Sequence, residues 1–492
     1  MKDVKIGLYS AGLRTYWTQF AGLYDRLRYY NHYIEARLCD FGEIYNFGMV
    51  DNADTARKAG EYFEASHVDI VFLHSATYFT SDSILPIHQL CKAPVIVLNL
   101  QPSAQIDYTH TDTGEWLSQC VACPVPEVSN AFERAGIPFR CVNGLLGLKN
   151  TPEIAMSNES TSEMPQAVRA WREIEEWCRA AYVKSNLLGA RFGFLGGNYS
   201  GMLDMYSDFT MLSAQTGIHI EILEMCDLNE RLQSVTKEQV TDKLREICEM
   251  FTFAEDSPSD DRVKKPTDEQ INWSAKVAAA QAAIVQDYRL DGLAYYYHST
   301  ENNPYEELQS GFIVGHSLLT AQGVPCAGEA DIKTALAMKI GDLLGVGGSF
   351  AEIVVVDYIN GTILIGHDGP FHIKISNGKP ILRGMGVYHG KRGSGVSVEA
   401  KVKPGPVTTL NITQTRDGRL KMIISEAQAT DGPIMTIGNT QTPLLFDCDP
   451  DAYMSKWFAE APTHHCALMV GHNASVLQKV GVLMGIPTVV LK

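Results

Sequence analysis

Glu329, Glu352, His367 and His465 lie in the last third of this 492-residue chain. Each sits in its own short stretch: Gly-Glu-Ala-Asp at 328–331, Gly-Ser-Phe-Ala-Glu at 348–352, Ile-Gly-His-Asp at 365–368 and Thr-His-His-Cys at 463–466. Two carboxylates and two imidazoles form a donor set suited to a hard-to-borderline divalent ion such as Mn²⁺. The carboxylates are also acid/base groups, and a base beside a Lewis acid can move a proton between neighbouring carbons. Taken singly, each residue has a plainer reading. Glu329 precedes a helical run, where the helix dipole alone favours a carboxylate. Glu352 adjoins an apolar strand and either faces solvent or has a partner, because a lone buried carboxylate is costly. His367 ends the run Thr-Ile-Leu-Ile-Gly-His, a place where a histidine is often structural. His464 and His465 are neighbours, and strand alternation lets at most one of them point into a given site.

The elements that must position these residues follow from the hydrophobic pattern. In the first ~150 residues, apolar runs alternate with helical stretches, the mark of a parallel sheet with helices on both faces. Strands are expected at Val4–Tyr9, Tyr33–Cys39, Ile70–His74 and Pro94–Leu100, and helices at Tyr16 to about Tyr30 and at Ala53–Ala65. The polar stretch Lys149–Glu163 reads as a linker. A second α/β unit follows, with strands at Arg191–Leu195, Ile218–Leu223 and Leu293–Tyr297. Its helices are expected at Lys237–Phe251 and Asp268–Tyr288, separated by the charged loop Glu255–Thr267. After Gly345 short β-branched runs succeed one another without helices: Ile353–Tyr358, Thr362–Gly366, His372–Ile375, Thr408–Thr413 and Leu420–Ser425. That texture predicts an antiparallel sheet or barrel.

Composition narrows the function classes. Hydrophobic residues make up 45% and charged residues 20%, ordinary for a globular protein. A net charge of −16 disfavours a nucleic-acid partner. No run approaches ~18 apolar residues, so no membrane span is expected. The 11 cysteines are scattered and odd in number, which predicts reduced thiols and a cytoplasmic setting.

The flanks of the four residues resemble the L-arabinose isomerases, within the wider L-arabinose/L-fucose isomerase group. Gly-Glu-Ala-Asp-Ile-Lys-Thr-Ala at 328–335 is similar to that family's Gly-Glu-Gly-Asp-Trp-Lys-Thr-Ala, and Gly-Ser-Phe-Ala-Glu at 348–352 to its Thr-Ser-Phe-Met-Glu. Ile-Gly-His at 365–367 resembles Leu-Gly-Ser-His, one residue shorter. Thr-His-His at 463–465 resembles Ala-His-His, in which the second histidine is the ligand. Ala-Arg-Phe-Gly at 190–193 also has a counterpart in the family's middle domain. The family's N-terminal Gly-Ser-Gln-His-Leu-Tyr-Gly is replaced by Tyr-Ser-Ala-Gly-Leu at 9–13.

The resemblance implies metal ligands at Glu329, Glu352, His367 and His465, with Mn²⁺ as the cofactor and Co²⁺ or Mg²⁺ as substitutes. It implies an α/β fold in which two Rossmann-like parallel-sheet domains, 1–175 and 176–325, precede an antiparallel, barrel-like β-rich domain, 326–492. The implied activity is aldose–ketose isomerisation through an enediol(ate), on L-arabinose or on a deoxy, acidic or otherwise modified sugar. Glu329 and Glu352 are the expected catalytic carboxylates, with Asp331 orienting Glu329 or sharing in proton transfer. Phe350, Arg191 and His464 are expected to touch substrate. A homo-oligomer, most often a hexamer, with sites near subunit interfaces is also implied. The competing readings are a catalytically silent sugar-binding protein on the same scaffold and a metal-dependent hydrolase or epimerase.

Three further motifs carry less. Cys120-Val-Ala-Cys123 lacks a second cysteine pair and is followed by Pro124. Gly-Gly-Asn-Tyr-Ser-Gly at 196–201 lacks the Lys-Ser/Thr of a P-loop and reads as a rim loop. Lys333, on a helix, is expected to cover surface.

Overall fold

The computed structural model describes residues 4–149, 160–298, 303–385 and 395–492. The chain is a mixed α/β protein that divides into two compact units, Met1–Ser185 and Asn186–Lys492.

The first unit is built on five parallel strands: β1 (Lys5–Ala11), β2 (Glu43–Val50), β3 (Ile70–Ser75), β4 (Val95–Gln101) and β5 (Phe139–Leu145), in the order β2-β1-β3-β4-β5. Every residue of β3 is buried, as a strand covered on both faces requires. Its core includes Phe63, Phe79 and Phe132.

Two sequence expectations fail here. Tyr33–Cys39 is not a strand, because a helix runs over Leu23–Leu38 and buries Leu23, Leu27, Tyr30, Ile34 and Leu38 at helical spacing. The alternation of Tyr33-Ile34-Glu35-Ala36-Arg37-Leu38 is the tail of that stripe, and the strand lies further on, at β2. The helix expected from Tyr16 is two helices, Tyr16–Gln19 and Leu23–Leu38, parted at Gly22, whose φ of 81° lies in the left-handed region. Most of the polar stretch Lys149–Glu163 lies outside the described residues.

The second unit holds a four-stranded parallel sheet of β6 (Arg191–Gly196), β7 (His219–Leu223), β8 (Gly292–Tyr296) and β9 (Cys326–Ala327), in the order β9-β8-β6-β7. Helices Lys237–Met250 and Asp268–Tyr288 open on capping boxes, at Thr236 with Gln239 and at Thr267 with Gln270. Each pair satisfies two otherwise orphaned backbone donors.

A larger sheet follows: β10 (Ser349–Asp357), β11 (Thr362–His367), β12 (Gly405–Gln414), β13 (Leu420–Ala429), β14 (Thr440–Leu445), β15 (His465–Val470) and β16 (Thr488–Leu491). The order is β12-β15-β10-β11-β14-β13-β16, and β12 also pairs with β13 over ten residue pairs from Gly405 to Gln414. Pairing is antiparallel except for β16, which lies parallel to β13, so the sheet is mixed. Helices Pro450–Ala459 and Ala474–Met484 are interleaved with its last strands. The expected strand at His372–Ile375 is a 3₁₀ turn over Ile373–Ile375. The loop expected at 255–267 carries a two-residue strand, Val263–Lys264, which joins Thr252–Phe253, Ile381–Met385 and Val396–Glu399 in a small fourth sheet. Among the described residues no helix is long and apolar enough to cross a membrane.

Candidate functional site

The turn at 328–331 follows the carboxyl end of β9, in the second parallel sheet, and hangs from its neighbour β8: the Ala330 N–H donates to the Tyr295 carbonyl at 2.9 Å. Carboxyl ends of parallel strands are where such sheets present functional groups. Glu329 and Ala330 both take left-handed backbone angles, with φ of 57° and 61°. That conformation costs a non-glycine residue on the order of 1–3 kcal/mol, and consecutive cases concentrate at functional turns. Asp331 ends the turn by capping the helix Ile332–Leu343. Its carboxylate accepts from the Lys333 and Thr334 N–H groups and from the Thr334 hydroxyl.

The large sheet supplies the other side. Glu352 in β10 stands directly opposite His465 in β15, and residues so paired share a face with Cβ atoms ~5 Å apart. On its other flank Glu352 faces Gly366 of β11, and His367 follows at the strand end. Gly366 cannot carry a side chain here, because a Cβ would lie 1.8 Å from the Thr440 carbonyl oxygen. Thr440 clamps His367, its hydroxyl accepting from the His367 N–H at 2.9 Å and donating to the His367 carbonyl at 3.0 Å. Asn411, wholly buried in β12, donates to the carbonyls of Thr463 and His465 and so holds the start of β15.

The four sequence-predicted ligands therefore meet. His465 Nε2 is 3.5 Å and His464 Nε2 3.4 Å from Glu329 Oε2, and His367 Nε2 is 3.8 Å from Glu329 Oε1. Two overlapping groups could each hold a metal ion, Glu352–His367–His465 and Glu329–His464–His465. In each, the ligand atoms lie within 4.8 Å of one another. Glu329 Oε2 and His465 Nε2 are buried with no hydrogen-bond partner among the described residues.

The electrostatics agree. Burial works against the charged form of Glu329, but His464, His465 and His367 together hold its carboxyl below the usual range. Burial also opposes the charge on His464, yet Glu329 and Asp204 outweigh it and raise the imidazole to about 9. Burial, with the nearby His367 and His464, pushes His465 down despite Asp331. A cation beside His464 would take the place of its proton, since a ligating imidazole is neutral.

The residues expected to touch substrate are distributed differently. Phe350 is fully buried, its ring centroid 4.3 Å from that of His465 and 4.6 Å from that of His367, so it packs beneath the imidazoles. Arg191 stands at the opposite, amino-terminal end of β6, where it pairs with Glu221 and donates to the Tyr288 carbonyl at 2.9 Å. It is not brought to the cluster. His464 is, with about a third of its side chain exposed. The expectation that only one of the paired histidines reaches the site is corrected: β15 begins at His465, so strand alternation does not govern His464, and both rings face Glu329.

Lys333 does not cover surface. It is buried, donating to Ser207 Oγ at 2.7 Å and the Met205 carbonyl at 3.4 Å, and burial lowers its pKa. It thereby fastens the turn Leu203–Met205, whose Asp204 bonds His464 Nδ1 at 2.6 Å. Asp204, Thr440 and Asn411 escaped sequence reasoning, as none lies near the motifs in the chain. Asp368 was within reach as the neighbour of His367, and its Oδ1 lies 3.0 Å from His367 Nδ1. The thiols of Cys120 and Cys123 are free, and burial pushes Cys120 up to about 11, away from thiolate reactivity.

No protein-family model and no curated protein matches the chain. Among solved structures it is similar to an ABC transporter periplasmic solute binding protein from Actinobacillus succinogenes 130z with bound D-allose. That match has 11% identity over 66% of this chain and 78% of the other, with a TM-score of 0.17.

Proposed function

We propose that the chain is a metal-dependent aldose–ketose isomerase of the L-arabinose isomerase type, acting by proton transfer on a sugar that need not be L-arabinose. The observation that carries this reading is the meeting of Glu329, Glu352, His367 and His465 from four separate stretches of the chain. Two carboxylates and neighbouring imidazoles form a donor set that suits Mn²⁺, with Co²⁺ or Mg²⁺ as substitutes. The reading carries its architecture with it: two Rossmann-like parallel sheets and a barrel-like third sheet, for which the β12–β13 pairing is the support. It also carries a cytoplasmic setting and a homo-oligomer, a hexamer in the family resembled.

Glu329, Glu352, His367 and His465 would hold the ion, which would supply Lewis acidity for charge that develops on the sugar oxygens. The chain's own residues do the rest. Glu329 and Glu352 are the candidates to take the C2 proton and return it to C1, a step in which general acid/base catalysis contributes ~10²–10⁴-fold. Asp331 fixes the tautomer and orientation of His465 and acts through it. Phe350 holds His367 and His465 apart from the core beneath. The left-handed turn at Glu329 and Ala330 aims the carboxylate before substrate arrives.

A panel of aldoses and ketoses assayed with added Mn²⁺, beside metal analysis of the purified protein, tests the proposal. One sugar pair should interconvert, and Glu329→Gln or Glu352→Gln should reduce turnover by about 10²-fold or more with the fold intact. A protein that takes up none of Mn²⁺, Co²⁺ or Mg²⁺ would end this reading.

A further inference from the structure

We infer that Tyr199, stacked on Tyr296, is the platform that receives the end of the sugar remote from the metal, and that this end is uncharged. The inference rests on the isomerase reading above and narrows the class of sugar that reading leaves open.

Tyr296 closes β8 at its carboxyl end, and the Tyr295 carbonyl beside it holds the turn that carries Glu329. Strand alternation sends the two tyrosines opposite ways. Tyr295 packs against Phe312 and His316. Tyr296 meets Tyr199 instead, with ring centroids 4.3 Å apart and planes 23° from parallel. Burial raises the Tyr296 phenol, and Tyr199 and the Glu329 carboxylate add to the rise, so the ring pair lies within electrostatic reach of the metal site.

The loop 196–201 is shaped to make this stack. Gly196 has a φ of 85°, and a Cβ there would stand 2.0 Å from the Tyr296 carbonyl oxygen. The same carbonyl accepts from the Gly197 N–H at 3.1 Å. The loop therefore lies directly on the end of β8 and sets Tyr199 down on Tyr296. The Met202 N–H then donates to the Tyr199 carbonyl at 3.3 Å, and the chain enters the turn Leu203–Met205, where Asp204 holds His464. One short segment thus joins the aromatic pair to the cluster. Tyr199 is half-buried and keeps part of its surface open.

An aromatic face is the negative side of the ring's quadrupole, so it favours the C–H groups of a sugar and disfavours an anion. The charges around it point the same way. Glu329, Asp331 and Asp204 pair with histidines, and among the described residues no lysine or arginine forms an ion pair with them or with Glu352. The Lys333 ammonium is taken by Ser207 and the Met205 carbonyl. A phosphate or carboxylate on the sugar's far end would find no charge-assisted partner there. A deoxy or unsubstituted end suits both the rings and the charge.

The test assays the Mn²⁺-loaded full chain on neutral aldoses, their 6-deoxy forms, uronic acids and sugar phosphates, with calorimetric binding of the matching alditols as a readout that needs no turnover. Neutral or deoxy sugars should exceed charged ones by at least ~10-fold in kcat/KM. Tyr199→Ala should raise KM and weaken alditol binding at least ~10-fold, the scale of a lost apolar contact, with kcat within about threefold. Tyr199→Phe, which keeps the ring, should restore both. Mn²⁺ affinity should be equal in all three proteins. Unchanged KM and alditol binding in Tyr199→Ala would overturn the inference and leave the isomerase reading standing. So would a preference for a uronate or phosphate, or a Tyr199→Ala loss of Mn²⁺ affinity as large as its loss of sugar affinity. Tyr199-dependent alditol binding with no sugar converted would overturn the isomerase reading and keep the platform. A wild type that neither converts nor binds any of these compounds would overturn both.

Discussion

Asp331 and His465 are joined through a 3.1 Å contact between Oδ2 and Nδ1, and neither side chain has any exposed surface. Asp331 also caps the helix Ile332–Leu343, so one carboxylate ties a helix N-terminus in the second parallel sheet's layer to the first residue of β15. Burial alone would raise its pKa. The bond to His465, the nearby Lys333 and the Thr334 N–H reverse the sign and hold it well below the usual carboxylate range.

Replacing Asp331 separates its two tasks. Asp331→Asn keeps an N-cap acceptor and should fold, but its neutral amide supports His465 less well, and Mn²⁺ affinity should fall by ~10–100-fold. Asp331→Ala loses the cap as well, a further ~0.5–2 kcal/mol. Urea unfolding and metal titration of the two variants, measured side by side, check this. Equal metal affinity in wild type and Asp331→Asn would deny the residue its positioning role.

Phe350 packs against the imidazoles of His367 and His465. Phe350→Ala removes a wholly buried ring and should cost ~3–5 kcal/mol in unfolding free energy. Because the ring rests on both His367 and His465, metal affinity should fall with it, whereas Phe350→Leu should lose clearly less of both. A Phe350→Ala protein as stable as wild type would contradict this.

Three histidines away from the cluster make folding acid-sensitive. Burial pushes His74, His88 and His316 down to about 3, so each is neutral in the folded chain. Their unfolded pKa is ~6.5, so between pH 6.5 and about 3 the unfolded chain binds protons that the folded chain does not, and stability falls as pH falls. The contribution is complete above pH ~6.5. His316 shows the effect most plainly, since both its ring nitrogens are buried without a hydrogen-bond partner between Tyr295 and Phe312. Thermal unfolding followed from pH 7.5 to 5 should show a falling midpoint, and His316→Leu should flatten that dependence. A variant slope as steep as wild type would refute the assignment for His316.

Much of this was legible in the chain. The apolar runs that became β3 and β4 declared themselves, because strands buried on both faces need unbroken Val, Ile and Leu. Glu329, Glu352, His367 and His465 stood out as a set from their flanks, and the fold brings them into two overlapping groups that share His465 or stand beside it. Tyr33–Cys39 misled because its alternation mimics a strand while its buried partners, Leu23 and Leu27, sit a helical turn or more upstream. Lys333 misled because nothing local shows that Ser207 and the Met205 carbonyl wait for its ammonium across more than a hundred residues of sequence. Asp204 was hidden for the same reason: its contact with His464 is purely tertiary. Neither left-handed position of the turn at 328–331 is a glycine, so the sequence does not mark them.

The central claim is proton transfer by carboxylates beside a metal, and deuterium reports on it directly. The Mn²⁺-loaded protein, incubated in D₂O with the aldose or ketose it converts, should place solvent deuterium at C1 or C2 of the sugar, read by proton NMR. Glu352→Gln should abolish the incorporation. Turnover without any deuterium entering the sugar would contradict an enediol(ate) route and the carboxylate roles assigned here.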